Sequence, residues 1–306
     1  MRPIVIAGPT AVGKTELALN LAKELNAQII SVDSRQVYRY MDIGTAKPDR
    51  ADLDAVCHHL IDFIAPDDKY SAGSFGRDAR SVISRLTATG TRAVLVGGSG
   101  LYLSAYVDGL FEAGEGDFTL ERQRLRQRLE SQGLPALYRE LARLDPRTHL
   151  ALEANDEQRI LRALELVPAG GMHRLSVSRT HKPARAPLMI CLDMDRGQLY
   201  ERIDNRVDAM VEVGWVAEVE GLLARGFDER AAGMQSLGYQ EILSLLRGST
   251  SLESAVGTIK RRSRQYAKRQ LTWFRRDRRM RWLNIAQLGH DGVLDRIMTQ
   301  TTAPGA

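Results

Sequence analysis

The feature that most constrains this chain is "IVIAGPTAVGKTELALNLAKEL" at its N-terminal end. Four apolar residues run into a glycine loop, and a helical repeat follows at once, with Leu17, Leu21 and Leu25 spaced four apart on one face. The loop matches G-x-x-x-x-G-K-[ST] through Gly8, Gly13, Lys14 and Thr15, in the strand-loop-helix setting that gives the pattern a physical meaning. Its residues, Gly8, Pro9, Thr10, Ala11, Val12, Gly13, Lys14 and Thr15, are expected to cradle phosphate oxygens with backbone N–H groups at a helix N-terminus. Lys14 adds a positive charge, and the Thr15 hydroxyl is a candidate Mg²⁺ ligand.

The pattern after this loop is α/β. "AQIISVD" at 27–33 and "AVLV" at 93–96 read as further strands, and the glycine turn after the latter leads into a helix. From about residue 113 the β-branched runs give way to Leu, Arg and Glu at helical spacing. Leu125, Leu129, Leu137, Leu141 and Leu144 predict amphipathic helices, Asp145-Pro146 predicts a capped start, and Asn155 or Asp156 caps "EQRILRALELV". Pro168 and Gly170-Gly171 end that helix, and "RTHKPARAP" at 179–187 reads as a hinge into a strand at 188–194. The remainder reads as largely helical, with a disordered end, "TQTTAPGA". The expected fold is a P-loop parallel-sheet α/β core, residues 1–112 and 187–300, carrying an inserted all-helical domain at 113–186.

Charge is concentrated rather than spread. Net charge is +5, yet "KRRSRQYAKRQLTWFRRDRRMR" at 260–281 alone carries +10, which leaves the rest at −5. Ile259, Tyr266, Gln270 and Phe274 fall on one helical face there, so the segment reads either as a solvated anchoring helix or as a platform for nucleic-acid phosphates. A second basic group lies in the insertion, in "ERQRLRQR" at 121–128 and at Arg159 and Arg162.

Other classes are disfavoured. No apolar run nears the roughly 20 residues of a membrane span, and the first residues match neither a secretory leader nor a transit peptide, so a cytoplasmic location is expected. Cys57 and Cys191 are too few for a disulfide framework, and "CHH" at 57–59 reads as structural rather than metal-binding. The strand "AVLVGG" ends in glycine where a nucleotide hydrolase needs an acid, and no N-K-x-D stretch marks a GTPase. The strand "IISVD" does end in an acid. Asp33 there is a candidate metal-organising residue, a helix cap for "SRQVYRY", or a general base.

Seven stretches taken in order and spacing give the chain a resemblance over nearly its whole length: "GPTAVGKT", "DSRQVYRYMDIGTAKP" at 33–48, "HHLID" at 58–62, "GGSGLY" at 97–102, "NDEQRILRALE" at 155–165, "LGYQE" at 237–241 and "YAKRQLTWFR" at 266–275. It resembles the bacterial tRNA isopentenyltransferase (dimethylallyltransferase) family. That resemblance implies transfer of a dimethylallyl group from dimethylallyl diphosphate to the exocyclic amine of the adenosine 3′ of the anticodon, with Mg²⁺ as cofactor. The loop at 8–15 then holds the donor's diphosphate, with Asp33 as the base and Lys14 and Arg206 stabilising the leaving group. Asp33, Ser34, Arg35, Gln36, Ser99, Arg122, Gln158, Arg159, Ile160, Leu161 and Arg162 are implied to meet the tRNA anticodon stem-loop, whose target base flips out. A monomer is the expectation. Two departures stand out: Tyr40 occupies a position where the family commonly has glycine, and "VPAGGMHRLS" at 167–176 replaces a tighter turn. The alternatives are a P-loop kinase with an Arg-rich lid, a relative prenylating free adenine nucleotide, and a non-catalytic RNA-binding protein.

Overall fold

In a computed structural model, which describes residues 1–109, 119–169 and 185–302, the aliphatic runs form one parallel sheet. Its strands are β1 (Ile4–Ala7), β2 (Gln28–Ser31), β3 (His58–His59), β4 (Ala93–Gly97), β5 (Leu188–Asp193) and β6 (Arg281–Asn284), in the order β3-β2-β4-β1-β5-β6. All four residues of β1 are buried, as a central parallel strand covered on both faces requires. Its side chains alternate between two cores. Ile4 and Ile6 pack with Leu17 and Leu21 of the first helix, Lys14–Glu24, whereas Val5 and Ala7 meet Phe75, Ala79 and Val82 of the helix Ala72–Ala88.

The described residues divide into two compact units, Met1–Val107 with Pro183–Ala306, and Asp108–Lys182. In the second, the helices Thr119–Gln132, Leu134–Leu144, Pro146–Leu150 and Glu157–Leu166 enclose their own core, with Leu125, Leu137, Leu141, Ile160 and Leu164 buried. Asp145 and Asp156 are the N-caps, accepting the amides of Thr148 at 3.1 Å and Arg159 at 3.2 Å. Leu144, expected on the apolar face, is 52% exposed at the last position of its helix. The Gly170-Gly171 stop and most of the 179–187 hinge lie outside the described residues.

In the C-terminal part, expected to be largely helical, the basic helix Leu252–Arg275 ends, a turn follows, and Arg281–Asn284 is an edge strand pairing in parallel with β5. Residues Thr299–Thr302, expected to be disordered, continue the helix Ile285–Thr302, where Thr299 Oγ1 bonds the Asp295 carbonyl at 2.9 Å. Residues 303–306 are outside the described set. No described helix is long and apolar enough to cross a membrane.

Candidate active site

The carboxyl ends of β1, β2 and β4 meet at one edge because β4 lies between β1 and β2. From β1 comes the loop 8–13, from β2 comes Asp33, and from β4 come Gly98 and Ser99. The first helix begins at Gly13, whose φ of 103° lets the chain turn into the helix without a side-chain cap. Its initial amides are therefore left for an anion, as the sequence motif predicts.

Lys14 Nζ donates to the Pro9 carbonyl at 2.7 Å and folds back over the loop. Burial first, and the Arg206 charge second, pull its pKa down to about 8, against opposing pulls from Asp33 and Cys191. Arg206, on the helix Arg196–Val213, reaches the loop with Nη1 3.4 Å from Thr10 Oγ1. Burial works against its charge and Asp33 supports it. Two cations thus converge beside the loop, an arrangement that suits an anionic group.

Asp33 lies two residues beyond the end of β2. Its Oδ1 accepts the Arg35 amide at 2.8 Å, and the Ser34 amide bonds Ser99 Oγ at 3.1 Å. The helix-cap reading of Asp33 is overturned, since no helix forms over 34–40 and the carboxylate closes a local turn instead. Asp33, Ser34 and Arg35 share a cavity of about 350 Å³ with Thr10, Arg206 and Tyr266. Four residues of one helix line the same cavity at positions i, i+3, i+4 and i+7: Ile203, Arg206, Val207 and Met210. An anion handle therefore stands on an apolar stripe. Ser34, Arg35 and Ser99 also border a second cavity, of about 440 Å³, with Tyr70, Tyr102 and Trp273 in its wall.

Gln36 turns inward. Its Oε1 accepts from Ser31 Oγ at 2.9 Å, and its Nε2 donates to the Thr45 and Ala46 carbonyls at 3.3 and 2.9 Å. Its amide is committed to holding the loop 42–47 against β2. The same loop is held from the other side by Glu218, whose carboxylate accepts the amides of Asp42, Ile43 and Gly44 at 2.6, 2.7 and 3.1 Å and the Tyr239 hydroxyl at 2.7 Å. Lys47 adds bonds to the Tyr38 carbonyl, Asp42 and Asp62, each at 2.6 Å. Sequence reasoning missed Glu218; its only signal is an acid three residues after a buried Trp215 in the apolar run "WVAEVEGLLA".

The basic helix Leu252–Arg275 packs as its apolar face predicts, burying Ile259, Gln270 and Phe274. Gln270 does more than pack, because it bonds Thr10 of the phosphate loop and Gly98 of the second glycine turn. Tyr266, half-buried, faces both cavities, and burial followed by the Asp33 charge pushes its pKa up to about 12. Lys260, Arg262 and Arg264 pair with Asp208, Glu241 and Asp204 and tie the helix down. Arg261, Lys268, Arg269 and Arg275 are exposed. The helix therefore anchors this part of the chain on one face and carries exposed cations on the other.

Thr15 is exposed in a concavity of about 460 Å³ bordered by Asp49, Asp52 and Arg202. Among the described residues no group of three or more acidic, His or Cys side chains could hold a metal ion. Oxygen donors here are therefore a hydroxyl and scattered carboxylates, a set that suits Mg²⁺ shared with substrate phosphates and water rather than a protein cage. A second strand-ending acid, overlooked in the sequence, is Asp193 at the end of β5, which accepts the Met194 amide at 2.9 Å. In "CHH", His59 bonds Gln28 Oε1 at 2.7 Å across β2 and β3, and His58 bonds the Val56 carbonyl at 2.7 Å.

In the helical unit, Arg122 and Arg162 both pair with Glu165, at 2.6 and 2.7 Å, and Arg159 reaches Asp156 at 3.5 Å. Gln158 and Arg159 are exposed. Ile160 is corrected: it is fully buried in the unit's core, with no side-chain surface to offer RNA, and Leu161 packs partly buried against the same core. Helical periodicity makes a contiguous run of contacts impossible for side chains on one face.

A model of the IPP transferase family matches residues 36–277. A tRNA dimethylallyltransferase of Desulforudis audaxviator is 43% identical over 288 residues, covering 94% of this chain and 93% of that protein. One from Symbiobacterium thermophilum is 46% identical over 286 residues, covering 92% and 89%. Among solved structures, a tRNA isopentenylpyrophosphate transferase of Bacillus halodurans is similar with a TM-score of 0.72 at 39% identity, covering 98% of this chain and 95% of that one. A eukaryotic dimethylallyltransferase acting on tRNA has a TM-score of 0.84 at 25% identity, covering 99% and 80%.

Proposed function

The chain belongs to the IPP transferase family, and we infer from that premise and from the cavity beside Asp33 that it transfers a dimethylallyl group from dimethylallyl diphosphate to tRNA. The observation that carries the reading is the single helix face on which Arg206, bonded to the phosphate loop, stands between Ile203, Val207 and Met210. An allylic diphosphate has that pattern, with a dianionic head and a short hydrocarbon tail. ATP would need an adenine pocket beyond the phosphates, and a kinase has no use for the exposed cations of Leu252–Arg275.

The acceptor in this reading is the exocyclic amine of the adenosine 3′ of the anticodon. Its lone pair is delocalised into the ring, so attack on the allylic carbon needs a base for the proton lost. In this reading Asp33, which lines the cavity, takes it. As the N–C bond forms, the C–O bond to the diphosphate breaks and its electron pair stays on the phosphate oxygen. The open amides from Gly13 onward, Lys14 and Arg206 stabilise that charge. Mg²⁺ held by Thr15 and the donor phosphates would supply further neutralisation of the departing group. Exposed Arg261, Lys268, Arg269 and Arg275 provide a surface for phosphates of the anticodon stem-loop.

The test is incubation with dimethylallyl diphosphate, Mg²⁺ and unmodified tRNA, followed by mass spectrometry of the digested nucleosides, with parallel reactions offering ATP as donor or AMP as acceptor. A dimethylallyl gain on tRNA adenosine alone is the expected result. Prenylated AMP with untouched tRNA, or phosphoryl transfer from ATP, would reassign the substrate.

A further inference from the structure

The donor cavity has a closed end. Arg206 marks its anionic end through Thr10, and Met210 lies four residues further along the same helix, an axial rise of about 6 Å. The helix stops at Gly214, and the chain turns into Trp215, which also lines the cavity and is 2% exposed.

The indole is held on several sides. A Cβ built on either Gly44 or Gly238 would come within 2.0 Å of it, so both backbones press against the ring. Tyr239 meets it edge-on with centroids 5.8 Å apart. Gly44 is itself pinned, because Glu218, one turn along from Trp215, binds the amides of residues 42–44. Trp215 therefore has no room to swing aside. Another part of the wall is polar, with Asp33, Ser34, Arg35 and Arg269, where hydrocarbon would strip water from groups it cannot bond. A tail leaving Arg206 toward the C-terminal end of the helix runs along Val207 to Met210 and the indole.

We propose that Met210 and Trp215 are specificity-determining residues that end this tail pocket and restrict the transferred chain to five carbons. The proposal rests on the prenyl-transfer reading above. A five-carbon tail ends within about one helical turn of Arg206; a ten-carbon tail would run into the indole.

The experiment offers dimethylallyl and geranyl diphosphate in competition, with tRNA as acceptor, to the wild type, Met210→Ala and Trp215→Phe. Each variant is first checked for cooperative melting. The readout is the ratio of ten-carbon to five-carbon adenosine in the digest, a quantity that general destabilisation lowers equally in both terms. Wild type is expected to make almost only the five-carbon product, and at least one variant to raise the ratio about tenfold or more. A wild type that uses both donors equally, or a ratio unmoved in both folded variants, overturns the proposal. A wild type that transfers neither group to tRNA overturns the prenyl-transfer reading and this inference with it.

Discussion

Gln270 Oε1 accepts the Thr10 amide at 2.9 Å while its Nε2 donates to the Gly98 carbonyl at 3.0 Å, so one buried side chain joins the phosphate loop to the glycine turn after β4. The basic helix is thus part of the site's frame. Gln270→Leu keeps the volume and leaves a half-buried N–H and a buried C=O without partners, which should cost about 2–4 kcal/mol. Urea unfolding measures that loss. Donor KM should rise in the same variant, because Thr10 also carries the contact to Arg206.

Asp33 has two jobs that can be separated. The local turn needs only an oxygen to accept the Arg35 amide, whereas the base needs a carboxylate. Asp33→Asn keeps the first and loses the second. Turnover should fall about 10²- to 10⁴-fold with donor binding little changed. Single-turnover kinetics with saturating donor is the check, and near-normal turnover removes Asp33 from proton transfer.

What the sequence made legible follows from how locally each feature is encoded. β1, β2, β4 and β5 are buried on both faces, so each needs an unbroken aliphatic run, and that run is visible. β6 buries only Leu283 fully in a stretch rich in arginine, and an edge strand so composed leaves no period to read. The phosphate loop is local and was found. Glu218 was not, because its work is done on amides some 175 residues away in sequence. Gln270 was placed on the right face of its helix, but the two backbone groups it bonds come from other strands. Ile160 shows the converse: the run from Gln158 to Arg162 looks uniform in sequence, and helical geometry sends its middle residue into the core.

Lys14 predicts a pH dependence for donor binding. The unfolded chain keeps the proton to 10.5, while the folded site, where burial is the main cause, releases it near 8. Between those values the unfolded state binds more protons, so this group's contribution to stability rises with pH. Donor binding runs the other way, since the diphosphate pairs with the charged form. Donor KM should be lowest below pH 8 and climb as pH passes that value. In Lys14→Met the climb should be largely absent and KM high throughout. Initial rates at fixed tRNA across pH 7 to 10 decide it.

Tyr40 sits at φ 65°, a left-handed conformation that costs a non-glycine residue about 1 kcal/mol, and the residue is 45% exposed. What holds it there is on the surface: the Arg225 guanidinium lies 4.6 Å from the ring centroid, and Phe227 stacks at 6.4 Å. A cation over an exposed ring contributes about 0.5–1 kcal/mol. Tyr40→Gly removes both terms, and they nearly cancel. Tyr40→Ala keeps the backbone cost and loses the ring, so it should be about 1 kcal/mol less stable than Tyr40→Gly. Paired urea titrations of the two variants and the wild type measure this. An alanine variant as stable as the glycine one would mean that the backbone at this position is relaxed and that the aromatic contacts alone keep Tyr40 in place.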